Sequence, residues 1–268
     1  EEREFKEQFN GHLWYMDAIL GRDENVTLKG IINQRKKLYE SNNIAQLLMK
    51  DPELIDRDHC RIPKITHKIW ITSNTHPVEF PAHYLYWYEE TIKHNPPEDG
   101  WTHILWVEDK NKLPGLMQKI DHDSPIIIKE FSELPGSLYT QDLYKKAVKN
   151  RQYGKASDII RLEILAQFGG YYLDTDYEGY QSLSPYSKLY DLVMAVEPMS
   201  VFLCNAFIGT RPEHPVIIKA LELIARNLDE RTVPRYIKES LNDGFKTIIE
   251  TGPAMMTVAF ALAGGKIG

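Results

Sequence analysis

An α/β fold is expected for most of this chain, on three observations. Short apolar segments with strand-like alternation recur between helix-prone stretches from Ile62 onward. Near the middle, a helix runs into a glycine pair and then directly into the apolar strand Tyr171-Tyr172-Leu173. Before residue 60 no strand pattern is present. Strands alternating with helices predict βαβ units and a mostly parallel sheet.

Residues 1–60 are charged and helix-prone, with Leu28, Ile31, Ile32, Arg35, Leu38 and Tyr39 near helical spacing and a break near Asp51-Pro52. They predict a helical appendage ahead of an α/β domain over 61–268. In that domain Ile65, His67, Ile69 and Ile71 alternate with Thr66, Lys68, Trp70 and Thr72, a strand pattern running into Ser73-Asn74. A helix from about Pro81 to Lys93, a strand through Trp101 to Val107, a helix near 113–120 and a strand over 126–129 follow. Helices near 138–150 and 156–168 lead to the strand that ends at Asp174. Strands near 191–197 and 201–208 come next. A helix opens at His214-Pro215, and another at Thr251-Gly252-Pro253, where proline suits a first turn.

Composition narrows the classes. At 43% hydrophobic and 26% charged residues the chain has an ordinary globular balance. A net charge of −6 gives no basic surplus for a nucleic-acid backbone, though a nucleotide needs only a local cation. The best apolar run, Met255 to Ala263, is too short to span a membrane. Cys60 and Cys204 belong to no metal-spaced cluster; Cys204, within an apolar run, is expected as a small buried thiol. The chain opens at Glu1 without a methionine and stops where a helix gives way to Gly264-Gly265, so an excised piece of a longer protein is expected.

The chemistry is concentrated in Gly154-Lys155-Ala156-Ser157-Asp158-Ile159-Ile160-Arg161 and in Gly169-Gly170-Tyr171-Tyr172-Leu173-Asp174-Thr175-Asp176. On an extended backbone Asp174 and Asp176 point to one side, with Tyr172 on the same face. Two such carboxylates can grip one hard divalent cation, which prefers oxygen ligands. On the preceding helix Asp158, Arg161, Leu162, Ile164, Leu165 and Phe168 fall on one broad side, with Glu163 and Gln167 opposite. Charged residues on an apolar stripe need partners. Asp158 and Arg161 are therefore either an i,i+3 ion pair or a polar grip for sugar hydroxyls and phosphate oxygens. Trp70, at a strand end before a polar loop, is either a core aromatic or a platform for a flat base. His67 is expected as a satisfied structural histidine, and Arg35-Lys36-Lys37 as a solvated helix face.

An aspartate pair at a strand end also occurs in phosphatases of the haloacid-dehalogenase type. Those need Thr or Val two residues after the second aspartate and place the motif at the start of the fold. Here Glu178 stands there and three strands come earlier.

Together these residues resemble glycosyltransferases with a DXD-containing sugar-binding region, a group that includes clostridial toxin domains, bacterial effectors and fungal Golgi mannosyltransferases. The resemblance covers about residues 62–260, on Ile65 to Ile71, Ala156 to Arg161, Gly169 to Asp176, Asn205-Ala206-Phe207-Ile208-Gly209 and Thr251-Gly252-Pro253. It implies a GT-A-type Rossmann-like mixed sheet flanked by helices, a UDP-linked sugar donor, Mn²⁺ or Mg²⁺, and transfer with retention. It further implies that Trp70 stacks the base, Asp158 and Arg161 hold the donor sugar, and Tyr172 lies beside the nucleotide. Asp174 would lie near ribose, sugar and metal, Asp176 would bind the metal directly, and Asn205 would contact the sugar. A further metal ligand and closing loop of the toxins would be absent here or lie beyond Gly268. The toxin and effector branch looks nearer, which implies a secreted bacterial virulence effector acting in a host cytosol on a protein acceptor such as a small GTPase. In that branch residues 1–60 are either an appendage that packs on the domain, the reading preferred here, or a segment for peripheral membrane contact; the Golgi branch would instead place the chain in the Golgi lumen.

Overall fold

The computed structural model describes residues 60–263 apart from 75, 121–123, 136–137, 198–201, 234–236 and 238–242. The expected appendage and its membrane contact lie outside the described residues, except Cys60. In chain order the first half comprises β1 (Ile65–Trp70), α1 (Ala82–Lys93), β2 (Thr102–Val107), α2 (Pro114–Lys119), β3 (Ile126–Glu130), α3 (Gln141–Lys149), α4 (Tyr153–Phe168) and β4 (Gly170–Leu173). The second half comprises α5 (Ser184–Leu189), β5 (Leu192–Val196), β6 (Leu203–Thr210), α6 (Pro215–Leu228), α7 (Asp243–Glu250) and α8 (Pro253–Leu262). The elements expected from the sequence are present, and α5 and α7 are additional. Both are short, and neither has a long enough apolar stripe to stand out by periodicity.

The sheet order is β3-β2-β1-β4-β6-β5. β1 pairs in parallel with β2 and β4, and β2 with β3, whereas β6 runs antiparallel to both β4 and β5. The sheet is thus mixed, and the expected parallel part is its first four strands. β1 lies at the centre, and Thr66, His67, Lys68 and Ile69 are all buried. Its alternation separates two covered faces, as helices on both sides of a parallel sheet require. One face packs Ile69, Ile104, Trp106 and Tyr172 against α3, α4, α6 and α8. The other packs Leu105, Val107 and Ile126 against α1 and α2. The pleat divides the adjacent tyrosines as expected, Tyr171 joining a separate cluster with Trp101 and Leu183.

α4 is buried on nearly every side, Lys155, Asp158, Arg161 and Glu163 included. The side carrying Glu163, opposite the apolar stripe, faces the start of α3: one Glu163 oxygen accepts from both the amide and the hydroxyl of Thr140, each at 2.6 Å.

From α4 to β4 the chain turns through Gly169 and Gly170, with φ of +62° and +85°. A side chain at Gly170 would bring a Cβ to 2.6 Å from the Ile65 carbonyl, so the glycine is needed for both conformation and space. His67 braces this turn. Its Nε2–H donates to the Gly169 carbonyl at 2.9 Å, and its Nδ1 accepts from Trp106 Nε1 at 3.1 Å. Burial pushes the imidazole down to about 4, so the neutral Nε2–H tautomer is the one these partners require. The expectation of a structural histidine holds. Cys204 is a buried free thiol, also as expected.

Candidate active site

The carboxyl ends of β1, β2 and β4 open on one edge of the sheet, where ligands of open α/β folds bind. A cleft of about 300 Å³ lies there, lined among others by Trp70, Tyr84, Tyr153, Arg161, Asp174 and Asp176. A larger hollow of about 420 Å³ around Lys155 and Glu250 shares no lining residue with it. In that hollow Lys155 is paired with Glu250 at 2.5 Å and Lys146 with Glu230 at 3.8 Å, so two of its three lysines are already matched.

β4 ends at Leu173, and Asp174 to Tyr177 form a turn closed by the Tyr177 amide donating to the Asp174 carbonyl at 3.0 Å. The period-two argument for Asp174 and Asp176 therefore needs correction: the turn, not a continuing strand, brings both carboxylates to the cleft. Asp174 is part-buried. Its Oδ1 accepts from the Tyr172 hydroxyl at 2.5 Å and meets Arg161 Nη1 at 3.2 Å. Its Oδ2 has no hydrogen-bond or ion-pair partner among the described residues, and the exposed Asp176 carboxylate has none either.

Arg161, on α4, uses its whole guanidinium. Nε donates to the Ser157 carbonyl at 3.2 Å and Nη2 to the Ser157 hydroxyl at 3.0 Å, while Nη1 donates to the Asn205 carbonyl at 2.7 Å. Nη2 also lies 3.2 Å from Asp158 and Nη1 3.2 Å from Asp174, as ion pairs. The guanidinium also stacks on Tyr172 at 4.4 Å from the ring centre. Although burial opposes its charge, Tyr172, Asp174 and Asp158 hold Arg161 above its usual range.

Asp158 stands behind this arginine and does not line the cleft. Oδ1 accepts from the Asn205 side-chain amide at 2.8 Å and Oδ2 from the Thr251 hydroxyl at 2.8 Å. Burial pushes the Asp158 carboxyl up, while Arg161, Thr251 and Asn205 act to keep it ionised. The i,i+3 ion pair weighed from the sequence is therefore present. In this arrangement Asp158 and Asn205 hold Arg161, and Arg161 holds Asp174. Trp70 is partly packed and also borders the cleft. Its Nε1 donates to the Val78 carbonyl at 2.9 Å and its ring packs edge-on against Phe80 and Tyr84, yet it still lines the cleft.

The sequence reading passed over Lys68. Its amine is buried beneath the Asp174 turn and donates to the carbonyls of Asp174 at 3.0 Å, Thr175 at 3.4 Å and Tyr177 at 2.7 Å. Burial draws it down to about 7, against the pull of Asp174 and Asp176. The available signal was a lysine at an interior position of the central strand, where a charge must find partners. Tyr84, Tyr153 and His76 were also not singled out; the last two stack at 4.3 Å on the cleft wall.

A divalent cation suits the donors present: two carboxylates offer unbonded oxygens to the same cleft, the hard ligands that Mn²⁺ or Mg²⁺ accept. No group of three His, Cys, Asp or Glu side chains that could hold a metal occurs among the described residues, so water or substrate oxygens would complete the shell.

Residues 81–193 match the model of the glycosyltransferase sugar-binding region containing a DXD motif. That match covers less than half of the chain, and over it the chain is similar to that family. Its DXD motif is Asp174-Thr175-Asp176. Among curated proteins this DXD chain is similar to inositol phosphoceramide mannosyltransferase 1 of Schizosaccharomyces pombe, at 22% identity over 62% of this chain and 44% of that protein. The chain thus spans less than half the length of that relative. Among solved structures, the PaToxG glycosyltransferase aligns over 87% of this chain and 78% of its own, with a TM-score of 0.61 and 20% identity. The catalytic domain of alpha-toxin from Clostridium novyi aligns over 91% and 84%, with a TM-score of 0.50 and 11% identity. The expected GT-A-type fold is borne out by these alignments together with the mixed six-stranded sheet. No helix among the described residues is long and apolar enough to cross a membrane.

Proposed function

We propose that the protein is a metal-dependent, retaining glycosyltransferase that moves a hexose, glucose before N-acetylglucosamine, from a UDP-linked donor to a hydroxyl of a protein acceptor. The observation that carries this reading is the pair Asp174 and Asp176 on one cleft with Trp70, at the carboxyl ends of the parallel strands. Asp176 and the free oxygen of Asp174 would hold Mn²⁺ or Mg²⁺, which when bound neutralises charge on the departing diphosphate. Trp70 would stack the base, with Tyr172 and Arg161 lining the path from base to sugar. Arg161 would orient the hexose while Asp158 and Asn205 keep its guanidinium in place. The acceptor oxygen bonds to the anomeric carbon as the bond to the diphosphate oxygen breaks. The acceptor proton passes to the leaving diphosphate on the same face, which preserves the anomeric configuration.

The GT-A fold shared with two toxin-related domains supports reading the protein as a secreted bacterial virulence effector in a host cytosol, acting on a protein acceptor such as a small GTPase. A second reading is a Golgi-type mannosyltransferase acting on glycans, favoured by the mannosyltransferase names of two sequence relatives. A non-catalytic nucleotide-sugar binding module is the remaining alternative. Incubating purified protein with Mn²⁺ and a panel of UDP- and GDP-sugars, and measuring released nucleotide with and without candidate acceptors, separates the three. UDP release from UDP-glucose that vanishes in Asp174→Asn/Asp176→Asn supports the main reading. Release from GDP-mannose favours the second, and donor binding without release the third. Unchanged turnover in the double variant rejects the site.

A further inference from the structure

The centre of a sheet covered on both faces is an unfavourable place for an ammonium group, and such a charge persists only when fully bonded. Lys68 meets that condition in an unusual way. It takes its acceptors from main-chain carbonyls within one four-residue turn, those of Asp174, Thr175 and Tyr177. Lysine has three N–H donors, and all three are used. The Tyr88 ring, 5.3 Å from Nζ, closes the remaining side. Carbonyls in a surface turn ordinarily face water. Here they converge on one buried atom, and the Asp174 and Asp176 side chains are left on the cleft side of the same turn.

A turn of this kind is otherwise weakly held. Within it, the bond from the Tyr177 amide to the Asp174 carbonyl is the main-chain closure. At its start, the Asp174 amide donates to the Ala206 carbonyl at 2.9 Å. Thr175 and Asp176 have no comparable main-chain anchor among the described residues except the Thr175 carbonyl bond to Lys68. The spacing of the two carboxylates therefore depends on a side chain from another strand.

We infer that Lys68 is a positioning residue that sets the Asp174–Tyr177 turn and, through it, the affinity of the two carboxylates for a divalent cation. This rests on the metal-binding reading proposed above. The ammonium beneath the turn repels a cation, whereas the three bonds preorganise its ligands; the inference is that preorganisation wins. Replacing the amine by an apolar chain of similar length loosens the turn and weakens cation binding, despite removing a like charge.

The test compares wild type, Lys68→Met, Lys68→Gln and Asp174→Asn/Asp176→Asn. Free Mn²⁺ is read by electron paramagnetic resonance, and amide hydrogen exchange is followed over the 170–180 segment, both well below the unfolding temperature. Lys68→Met should weaken Mn²⁺ binding at least tenfold and speed exchange in that segment while β2 and β3 stay protected. Lys68→Gln, which keeps two N–H donors without the charge, should fall between Lys68→Met and wild type, and it carries the test if Lys68→Met does not fold. Unchanged or tighter Mn²⁺ binding in a folded Lys68 variant overturns the inference and leaves the metal reading standing. Failure of wild type to bind Mn²⁺ better than the double aspartate variant overturns both.

Discussion

Replacing Arg161 by Met tests the arrangement that holds the site together. Methionine keeps much of the length and the packing over Tyr172 but removes every N–H. Asp158, only 6% exposed, then keeps its bonds to Asn205 and Thr251 while losing its counter-charge. The buried Asn205 carbonyl also loses its 2.7 Å donor. Removing one partner of a buried ion pair costs about 3–5 kcal/mol, because the other charge is left uncompensated. The lost stacking on Tyr172 overlaps with that figure and does not add to it. The expected destabilisation is about 4 kcal/mol, read from urea unfolding followed by tryptophan fluorescence. Adding Asp158→Asn removes the stranded charge, so the double variant should regain about 2 kcal/mol relative to Arg161→Met alone. In Arg161→Met the folded-state pKa of Asp158 rises further above its unfolded value. The folded state then binds the proton more tightly, and the penalty should shrink as the pH is lowered from 7 toward 5. A loss under about 1 kcal/mol, or no relief from Asp158→Asn, would refute the account of Arg161 as the hub of this site.

Acid should weaken the fold through His67. Its pKa falls from 6.5 to about 4 on folding, so its contribution is complete above pH 6.5 and is lost as the pH falls toward 4; that loss is about 3 kcal/mol, measurable by urea titrations across this range, and His67→Gln should flatten the slope. Gly170→Ala places a Cβ 2.6 Å from the Ile65 carbonyl at a φ of +85°, and should lower stability by about 2–3 kcal/mol in thermal unfolding; a smaller change than 1 kcal/mol would show that the junction relaxes freely. Trp70→Ala should weaken nucleotide binding by about 1–3 kcal/mol of stacking, with Trp70→Phe recovering part of it; equal affinities in calorimetry would remove Trp70 from the base site.

The layout of the fold was legible because the strand and helix periods alternate cleanly from Ile65 to Asp174, and glycines and prolines mark the junctions. What stayed hidden was which faces are covered. Alternation in β1 looks the same whether Thr66 and Lys68 meet solvent or α1, and Glu163 looks like a surface residue until α3 is placed over it. The charged residues of this region, Asp158, Arg161, Asp174 and Asp176, were visible, since charges within apolar runs stand out. Their connectivity was not: that Asp158 meets Asn205 and Thr251, and that Lys68 lies under the turn, depends on contacts across 47, 93 and 106 positions. Local spacing carries no trace of those.

The junction of α4 with β4 has one more consequence. A single residue, Gly169, separates the helix that carries the arginine from the strand that delivers the acidic pair, and its carbonyl is tied to the imidazole of the central strand. From Ser157 to Asp176 the segment behaves as a fixed-length cassette, in which one inserted or deleted residue would throw the guanidinium and the carboxylates out of register. Changes of length are therefore confined to the rim, where they leave the parts that must meet in place.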